Sequence, residues 1–499
     1  MALSRFGRSA FGHTGHPSDA SPTTVAGQPA GQGTPTLPPA LDGAAAQPAS
    51  AHVYGTVISG GRVIDPASGF DGVAHVGIDG GTITAVSTQP LHGAKTIDAT
   101  GKVVSPGFID FLSYEPNTNG AHFKIGDGVT TNLGMHGMQN GVFATQFFDA
   151  YRGQCPVNFG GAFSDHWVRY QKLGLNVGDS ASPDQISSLA DTFEQELHNG
   201  WLGIDFEPEY TPGVQFDEIK ALAQVAQKHG VPCFFHGRYS SHSQEHLTVP
   251  EIIRVAKETG ASVHVAHLPS TGGTWDIQSA LEQIHQARAE HYDVTACMYP
   301  YSYWATYLGS ARFTTGDWQT NFQISYNDLQ IAGTSERLTA ATFPGYQAQN
   351  KLAVAYAIPE SSVVAALKDP MVMIGSDAIV DGTNNHPRAS GCFSRVLGRY
   401  VREQHLISLP EALAKMTILP ARRLEAKSPA LRKKGRLQRG ADADITVFDP
   451  HTVADTSTVE NPAAYSAGIE WVLLGGQVVK DRSGVIEGVN AGQPIMSSV

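Results

Sequence analysis

The sequence predicts an α/β protein: a (β/α)8 TIM-like barrel with a small β-sandwich built from both ends of the chain. The middle of the chain alternates amphipathic helical segments with short apolar strands, joined at glycines. This alternation is typical of parallel βαβ units. The two ends are instead rich in β-branched residues and Gly pairs. An alternating region as long as residues 106–434 favours a closed barrel over an open sheet.

The domain organisation follows from these changes in composition. Residues 1–52 consist largely of Gly, Pro, Ala, Ser and Thr and are predicted to be disordered. Residues 53–105 and 435–490 are predicted to form the discontinuous β-sandwich, and residues 106–434 the barrel. The helix–strand rhythm breaks near residues 307–350, which predicts an insertion that covers the barrel mouth.

The barrel helices are marked by caps and by periodic apolar residues. One helix is predicted to begin at Ser182-Pro183, with Ser as the N-cap and Pro in the first turn. Its buried stripe and its end are predicted at Ile186, Leu189, Phe193, Leu197 and Gly200. Further helices are predicted at 216–229, 250–259 and 276–290. The intervening strands are predicted in WLGIDFE, VPCFFH, ASVHVAH and YDVTACMYPY.

Charge and composition exclude several partners. The chain has 499 residues and a net charge of −12, which argues against nucleic-acid binding and against a polybasic membrane surface. No apolar run approaches the roughly 20 residues needed to span a bilayer. The four cysteines are scattered, without a C-x-x-C motif. A cytoplasmic location is favoured, and a periplasmic or secreted one would require an export signal removed from the N-terminus.

Two predicted strands end in histidine, in PCFFHGR at His236 and in VHVAHLPSTGG at His267. A neutral imidazole where a buried strand meets a loop is a good zinc ligand. Hydrogen-bonded core histidines are the alternative interpretation for either residue alone. The pair, together with Asp377 on a later strand, favours a metal site. His264 is assigned a packing or supporting role.

Asp377 follows the apolar run Val372–Ile374 after a Gly-Ser break, in MIGSD. Active sites of parallel barrels gather at the C-terminal ends of the strands, so Asp377 is a candidate catalytic acid or base. Arg388 follows in an HPR loop, and its guanidinium suits a carboxylate ligand. A capping Asp and a surface Arg are the alternative interpretation.

The segments GSD, HPR, CFSRVLGRYVRE and LPEALAKMTILPARRLEA resemble the N-acyl-D-amino-acid deacylases (D-aminoacylases) of the metal-dependent amidohydrolase superfamily. The resemblance covers roughly residues 53–490. It implies zinc ligands at His236 on the fifth strand and at His267 on the sixth, with Asp377 on the eighth. It also implies a ligand after the GVTT motif, where family members carry Cys or Glu and this chain carries His136.

The resemblance extends to the substrate end. Family members hold the substrate's α-carboxylate with an Arg, a Tyr and a Ser, and Arg388 and Tyr299 match the first two. The Ser position is Ala305 here, so its neighbour Thr306 is the candidate third contact. Arg238 is a further candidate anion contact. Two arginines would suit an acidic acyl amino acid.

The chain departs from the superfamily pattern at its first barrel strand. The signature PGFIDxHxH, whose histidines hold a second metal, reads PGFIDFLSYEPN here, with Leu112 and Tyr114 in place of the histidines. This departure predicts one zinc ion, which suffices for hydrolysis. Glu207 and Glu209 stand where family members carry small or apolar residues. A solvated or ion-paired loop is expected there, with an added site carboxylate as the alternative.

These observations predict a hydrolase of carbon–nitrogen bonds other than peptide bonds, acting on a small-molecule substrate that carries a carboxylate. The predicted reaction is cleavage of the amide bond of N-acyl amino acids, with the D configuration implied by the resemblance. Zinc would activate water, and Asp377 would transfer the proton. The alternatives are a catalytically inactive binding protein of the same fold and a hydrolase of cyclic amides or lactones.

Overall fold

The computed structural model describes residues 52–136, 143–382 and 385–499. The predicted disordered segment, 1–52, lies outside these residues except for His52. The strands are β1 (Val53–Asp65), β2 (Phe70–Asp79), β3 (Thr82–Ser87), β4 (His92–Asp98), β5 (Val103–Pro106), β6 (Phe108–Asp110), β7 (Val129–Gly134), β8 (Asn158–Gly161), β9 (Phe163–Ser164), β10 (Ile204–Phe206), β11 (Cys233–Phe235), β12 (Val263–Val265), β13 (Val294–Met298), β14 (Trp304–Tyr307), β15 (Leu329–Ile331), β16 (Leu352–Ala355), β17 (Met373–Ile374), β18 (Ile445–Phe448), β19 (Ile469–Leu474), β20 (Gln477–Asp481) and β21 (Gly484–Val485).

The described residues form fourteen α-helices. They are α1 (Thr118–Gly126), α2 (Ala144–Tyr151), α3 (Asp165–Leu173), α4 (Pro183–His198), α5 (Phe216–His229), α6 (Thr248–Thr259), α7 (Ile277–Ala289), α8 (Ala311–Thr314), α9 (Trp318–Phe322), α10 (Phe343–Ala348), α11 (Glu360–Lys368), α12 (Arg388–Arg395), α13 (Leu409–Met416) and α14 (Ile418–Leu424). Ser182 forms a capping box with Gln185 at the start of α4. Gly230 ends α5 in the left-handed conformation. The four helices predicted from the middle of the sequence are therefore confirmed.

Parallel strands form the predicted barrel. Hydrogen bonds join β9, β10, β11, β12, β13 and β17 into one sheet, and β6, β7 and β8 into another. The backbone N–H of Asp377 donates to the carbonyl of Leu112 (2.6 Å), which joins the last strand to the first. Gly375 permits this approach, because a Cβ at its position would lie 2.5 Å from the Cβ of Leu112.

A buried ionic network reinforces the junction between the first and last strands. The ammonium group of Lys124, on α1, donates to Asp110 (2.6 Å), to the Ser376 hydroxyl (2.7 Å) and to the carbonyl of Ala378 (2.6 Å). Asp110 in turn accepts from the backbone N–H of Ser376 (2.9 Å). The Asp of the PGFID motif therefore holds the end of β17, from which the candidate catalytic Asp377 follows.

The two β-rich ends of the chain meet in one mixed sheet. The long β1 pairs with β2, β4 and β5, and β5 pairs antiparallel with β18 from the C-terminal end. A separate apolar cluster lies in this sheet, with members from both ends such as Val63, Val76, Ile445 and Leu473. The fold class predicted from the sequence is confirmed, whereas the exact domain boundaries stay predictions.

The region that breaks the helix–strand rhythm forms its own small sheet. Strands β14, β16 and β15 pair antiparallel, with Trp304 opposite Ala355, and α8 to α10 connect them. This region contains Arg312, whose side chain reaches the candidate site described below. Across the described residues, no helix is long and apolar enough to cross a membrane.

Candidate metal centre and active site

Three buried histidines converge at the C-terminal ends of the barrel strands. His236 follows β11, His267 lies just after β12, and His136 follows β7. Each of the three is less than 5 % exposed. A set of ligand atoms, one from each histidine, lies within 4.8 Å of one another. The structure thus brings together the three residues that the sequence proposes as metal ligands.

Hydrogen bonds at the far side of each imidazole fix which nitrogen faces the centre. His236 Nε2 contacts Glu209 (2.5 Å), and His267 Nδ1 contacts the Ser270 hydroxyl (3.0 Å). Because that hydroxyl donates its own proton to a carbonyl, it accepts from His267. With these partners, His236 Nδ1 and His267 Nε2 carry no proton, and each can offer its lone pair to a metal. The two nitrogen atoms lie 3.2 Å apart. Two nitrogens on one tetrahedral zinc lie roughly 3.3 Å apart, so the spacing fits.

Both imidazoles are held neutral, which is the form that binds a metal. Burial lowers the pKa of His236, and the nearby Arg312 guanidinium lowers it further. Burial also lowers the pKa of His267, against the opposing effect of Asp377. A neutral imidazole oriented by a carboxylate or hydroxyl is the usual arrangement of a zinc ligand.

His136 lies in a more acidic environment. Its Nδ1 is 3.2 Å from Asp205 and 3.6 Å from Glu207, while its Nε2 faces Asp377 at 3.8 Å. Burial alone would lower the pKa of His136, but the carboxylates of Asp205 and Glu207 outweigh it and raise the pKa to about 10. The surroundings of His136 therefore favour positive charge, whether a proton or a metal ion supplies it.

Asp377 is held by an arginine and a tyrosine. Its Oδ2 accepts from Arg388 Nη2 (2.8 Å), and its Oδ1 accepts from the hydroxyl of Tyr114 (3.1 Å). His267 Nε2 lies 3.9 Å from Oδ2. The carboxylate is thus oriented beside His136 and His267.

Two site residues adopt a backbone conformation that is strained for side chains other than glycine. His267 has φ 33° and Asp377 has φ 52°, both in the left-handed region. Such conformations cost on the order of 1–3 kcal/mol and persist where the surrounding structure enforces them, typically at functional sites. Here the Cys297 sulfur accepts from the His267 backbone N–H (3.3 Å), and the Leu112 carbonyl accepts from that of Asp377.

The predicted carboxylate contacts lie beside Asp377. The Arg388 guanidinium packs 4.3 Å above the centre of the Tyr299 ring. The Nη1 atom of Arg388 and the hydroxyl of Tyr299 are buried and have no hydrogen-bond partner among the described residues. Thr306 lies farther along, where its hydroxyl accepts from Tyr210 (3.3 Å) and contacts Ser310. These contacts join Thr306 to Tyr210 and Ser310 at the edge of the site, not to Arg388.

Arg312 is a buried site residue that the sequence did not indicate. Its Nε donates to Glu209 (3.0 Å), the same carboxylate that contacts His236, and its Nη2 donates to the Ser270 carbonyl (3.0 Å). The hydroxyl of Ser240 also donates to Glu209. The sequence signal that could have led to Arg312 is Glu209, a buried carboxylate that needs a positively charged partner. It is ion-paired, as one expectation had it, but buried within the site instead of solvated.

The structure also shows what surrounds three other residues that the sequence analysis singled out. Arg238, a candidate contact for an anionic substrate, instead pairs with Glu251 (2.9 Å) on α6, so its positive charge is already neutralised within the protein. His264 packs between aromatic rings and contacts the Thr295 hydroxyl (2.7 Å), in agreement with a packing role. Leu112, at the first of the two replaced histidine positions, lies in an apolar cluster inside the barrel.

Comparison with known proteins agrees with this fold. Residues 154–480 match the model of the amidohydrolase family. An N-acyl-D-glutamate deacylase of Alcaligenes xylosoxydans xylosoxydans is 31% identical over 464 residues, which cover 85% of this chain and 93% of the relative.

Two solved structures share the fold. The N-acyl-D-glutamate deacylase of Bordetella bronchiseptica, solved with zinc and a phosphonate inhibitor, has a TM-score of 0.76 at 26% identity, covering 89% of this chain and all of that one. A D-aminoacylase with a binuclear metal centre, described as having one-metal activation and second-metal attenuation, has a TM-score of 0.75 at 25% identity with the same coverage.

A barrel that gathers histidines, a carboxylate and an arginine at its strand ends defines the class of amidohydrolases, and this chain belongs to that family. Within the family its similarity is to the N-acyl-D-amino-acid deacylases. It is a hydrolase of carbon–nitrogen bonds other than peptide bonds.

Proposed function

We propose that this enzyme hydrolyses the amide bond of N-acyl-D-amino acids at a site that binds one zinc ion. The observation that carries the proposal is the convergence of three buried histidines with the Asp377–Arg388 pair. The histidines would bind the metal. Asp377 would transfer the proton, and Arg388 would bind the substrate's carboxylate. Similarity to deacylases supports the substrate class and the D configuration.

The donor set fits zinc. His136 Nε2, His236 Nδ1 and His267 Nε2 are the nitrogens left free by the hydrogen bonds on the opposite side of each ring. Three protein ligands with one open position make a catalytic zinc site. When bound, zinc supplies polarisation of the substrate carbonyl and activation of water. At the replaced histidine positions, Leu112 has no donor atom and Tyr114 uses its hydroxyl on Asp377, which supports a single ion.

Asp377 would accept a proton from the attacking water and later give it to the amine that leaves. Its two oxygens are oriented by Tyr114 and Arg388, so the carboxylate needs little reorganisation during the reaction. A positioned acid–base group contributes about 10²–10⁴-fold to the rate. The strained backbone of Asp377 supports a role in the reaction over a purely capping role.

Arg388 and Tyr299 would hold the substrate's α-carboxylate. Arg388 uses Nη2 on Asp377 and Nε on the Asp377 carbonyl, which leaves Nη1 for a ligand. The unpartnered hydroxyl of Tyr299 can donate a second hydrogen bond to the same carboxylate. His386 fixes the arginine, because its Nδ1 accepts from the Arg388 backbone N–H (2.9 Å). Thr306 would contribute at the edge of the substrate site.

The test is a comparison of zinc-loaded and chelator-treated enzyme on N-acetyl-D-amino acids, N-acetyl-L-amino acids, a hydantoin and a lactone. Release of free amino acid is measured for the open-chain substrates and ring opening for the others. We expect zinc-dependent turnover of the D compounds, together with about one zinc per chain that is lost when His236 and His267 are both replaced by Ala. Turnover confined to a cyclic substrate would replace the proposal with a cyclic-amide or lactone hydrolase. Bound zinc without any turnover would support the catalytically inactive alternative.

A further inference from the structure

A second group of metal-ligating side chains lies away from the candidate centre. It consists of Glu194 and His198 on α4 and His229 on α5. The two histidines are the last residues of their helices. Helices of a parallel barrel run opposite to its strands, so these helix ends lie at the N-terminal ends of the strands. The candidate metal centre lies at the C-terminal ends, on the other side of the barrel.

The three side chains are close enough to share one ion. Glu194 and His198 are four residues apart and therefore lie on the same face of α4. Glu194 Oε1 is 2.9 Å from His229 Nε2 and 3.8 Å from His198 Nε2. The two imidazole rings meet edge to face, with centroids 4.7 Å apart. One ligand atom from each residue lies within 4.8 Å of the others.

The state of His229 points independently to a ligand. His229 is only 7 % exposed, and its Nε2 has no hydrogen-bond partner among the described residues. Glu194 Oε1 lies 2.9 Å from this nitrogen, a contact that is an ion pair only when the imidazole carries a proton on both nitrogens. A buried, unpartnered polar atom is costly and needs an explanation. Two ligands turned toward a common ion lie this close without bonding to each other.

His198 is oriented in the same way. Its Nδ1 lies 3.1 Å from the main-chain oxygen of Val499, to which the Nδ1–H donates. This hydrogen bond leaves Nε2 as a lone pair on the side of Glu194. A carboxylate or carbonyl oxygen that fixes the tautomer of a histidine in this manner is a common feature of zinc sites.

The local electrostatics favour a cation. Two helices end here, and the C-terminus of a helix carries partial negative charge. Glu194 adds a carboxylate. Lys228 now lies 2.7 Å from Glu194 Oε1, but its side chain is 67 % exposed and is free to turn into solvent. A metal ion that displaced it would also engage both histidines, which the ammonium group does not.

We propose that Glu194, His198 and His229 form a zinc site, distinct from the candidate catalytic centre, that ties α4 to α5. Two imidazole nitrogens and one carboxylate oxygen, with water in the fourth position, complete a tetrahedral zinc. No residue of the site belongs to the proposed catalytic machinery. The site therefore stands whether or not the proposed reaction is correct.

The experiment measures zinc per chain in the His236→Ala/His267→Ala double variant, whose candidate catalytic centre is disabled. The protein is equilibrated with ZnCl2, freed of excess metal by gel filtration and assayed by mass spectrometry. About one zinc is expected to remain, and His198→Ala in this background is expected to remove it. His285→Ala is the matched control, because His285 also pairs with a carboxylate, Asp369 (2.6 Å). The control should retain the zinc.

Thermal unfolding gives a second readout. ZnCl2 should raise the Tm of the double variant and of the His285→Ala control, but not that of the His198→Ala variant, because binding to the folded state stabilises it. If the double variant does not fold, the wild type and its His198→Ala variant are compared, with a loss of one zinc expected. Zinc content unchanged by His198→Ala, or no zinc in the folded double variant, would overturn the proposal.

Discussion

Arg388 holds Asp377 by two contacts: its Nη2 donates to the carboxylate (2.8 Å) and its Nε to the backbone carbonyl (3.0 Å) of the same residue. The guanidinium thus fixes both the side chain and the strained backbone of the proposed acid–base residue. In the proposed reaction, Arg388 would couple substrate binding to the orientation of the Asp377 carboxylate, because its remaining Nη1 has no hydrogen-bond partner among the described residues.

Replacing Asp377 with Asn should reduce kcat by about 10²–10⁴-fold, because the amide cannot accept the proton of the attacking water. Zinc content should stay unchanged, since the three histidines supply the ligands. Steady-state kinetics and metal analysis on the same sample test this. The exposed Asp381→Asn serves as the control. Unchanged turnover of the Asp377 variant would rule out its assigned role.

Replacing Arg388 with Lys should lower kcat/KM for N-acyl amino acids by about 10–150-fold, the effect of losing a hydrogen bond between charged groups. Substrates whose α-carboxylate is amidated should lose less, because they do not use the Nη1 contact. Arg395→Lys is the matched control on the same helix, where Arg395 packs on Tyr301 and pairs with Asp455. Equal losses on both substrate types would argue against carboxylate binding by Arg388.

Replacing Asp205 with Asn should weaken zinc binding by about 10–100-fold, the usual effect of removing a carboxylate that orients a histidine ligand. The reason is the 3.2 Å contact that turns His136 Nε2 toward the centre. Competition with a chromogenic chelator measures the affinity. Asp293→Asn, a carboxylate paired with Arg423, is the control. An unaltered affinity would exclude His136 as an Asp205-oriented ligand.

Replacing Lys124 with Met should destabilise the fold by about 3–5 kcal/mol, because it leaves the buried Asp110 carboxylate without its partner. Denaturant unfolding of the chelator-treated protein measures the change. Lys220→Met, which breaks the exposed pair with Glu258, should cost only about 0–1 kcal/mol. Similar values for the two variants would contradict the structural role of the buried network.

Asp127 should give the stability a pH dependence of its own. Burial raises its pKa to about 7, against hydrogen bonds from Ser394, Phe393 and Ser466 that lower it. The unfolded carboxyl titrates near pH 4, so between about pH 4 and 7 the folded state binds more protons. This group therefore lowers the free energy of unfolding as pH rises through that window. In metal-free protein, Asp127→Asn should make the fall of the unfolding free energy between about pH 4 and 7 less steep, as measured by denaturant unfolding at several pH values. An identical slope in the variant would show that Asp127 does not cause this pH dependence.

The sequence by itself determined the parts of this protein that depend on local pattern. The period of apolar residues and the cap at Ser182 predicted α4, and strands ending in His236, His267 and Asp377 predicted which side chains reach one end of the barrel. These signals suffice because backbone preference and burial are encoded within a few residues, and because a parallel barrel collects its strand ends at one face.

Tertiary structure decided the partners. Glu209 meets Arg312 across 103 residues of chain, and Tyr114 meets Asp377 across 263. Asp205 alone, read as a strand residue, gave no sign that it would orient His136. Pairing between distant groups depends on how elements pack, and a local pattern carries no information about which charge will neutralise another. The proposed metal ligands were therefore recognisable in the sequence, whereas the residues that contact and orient them were not.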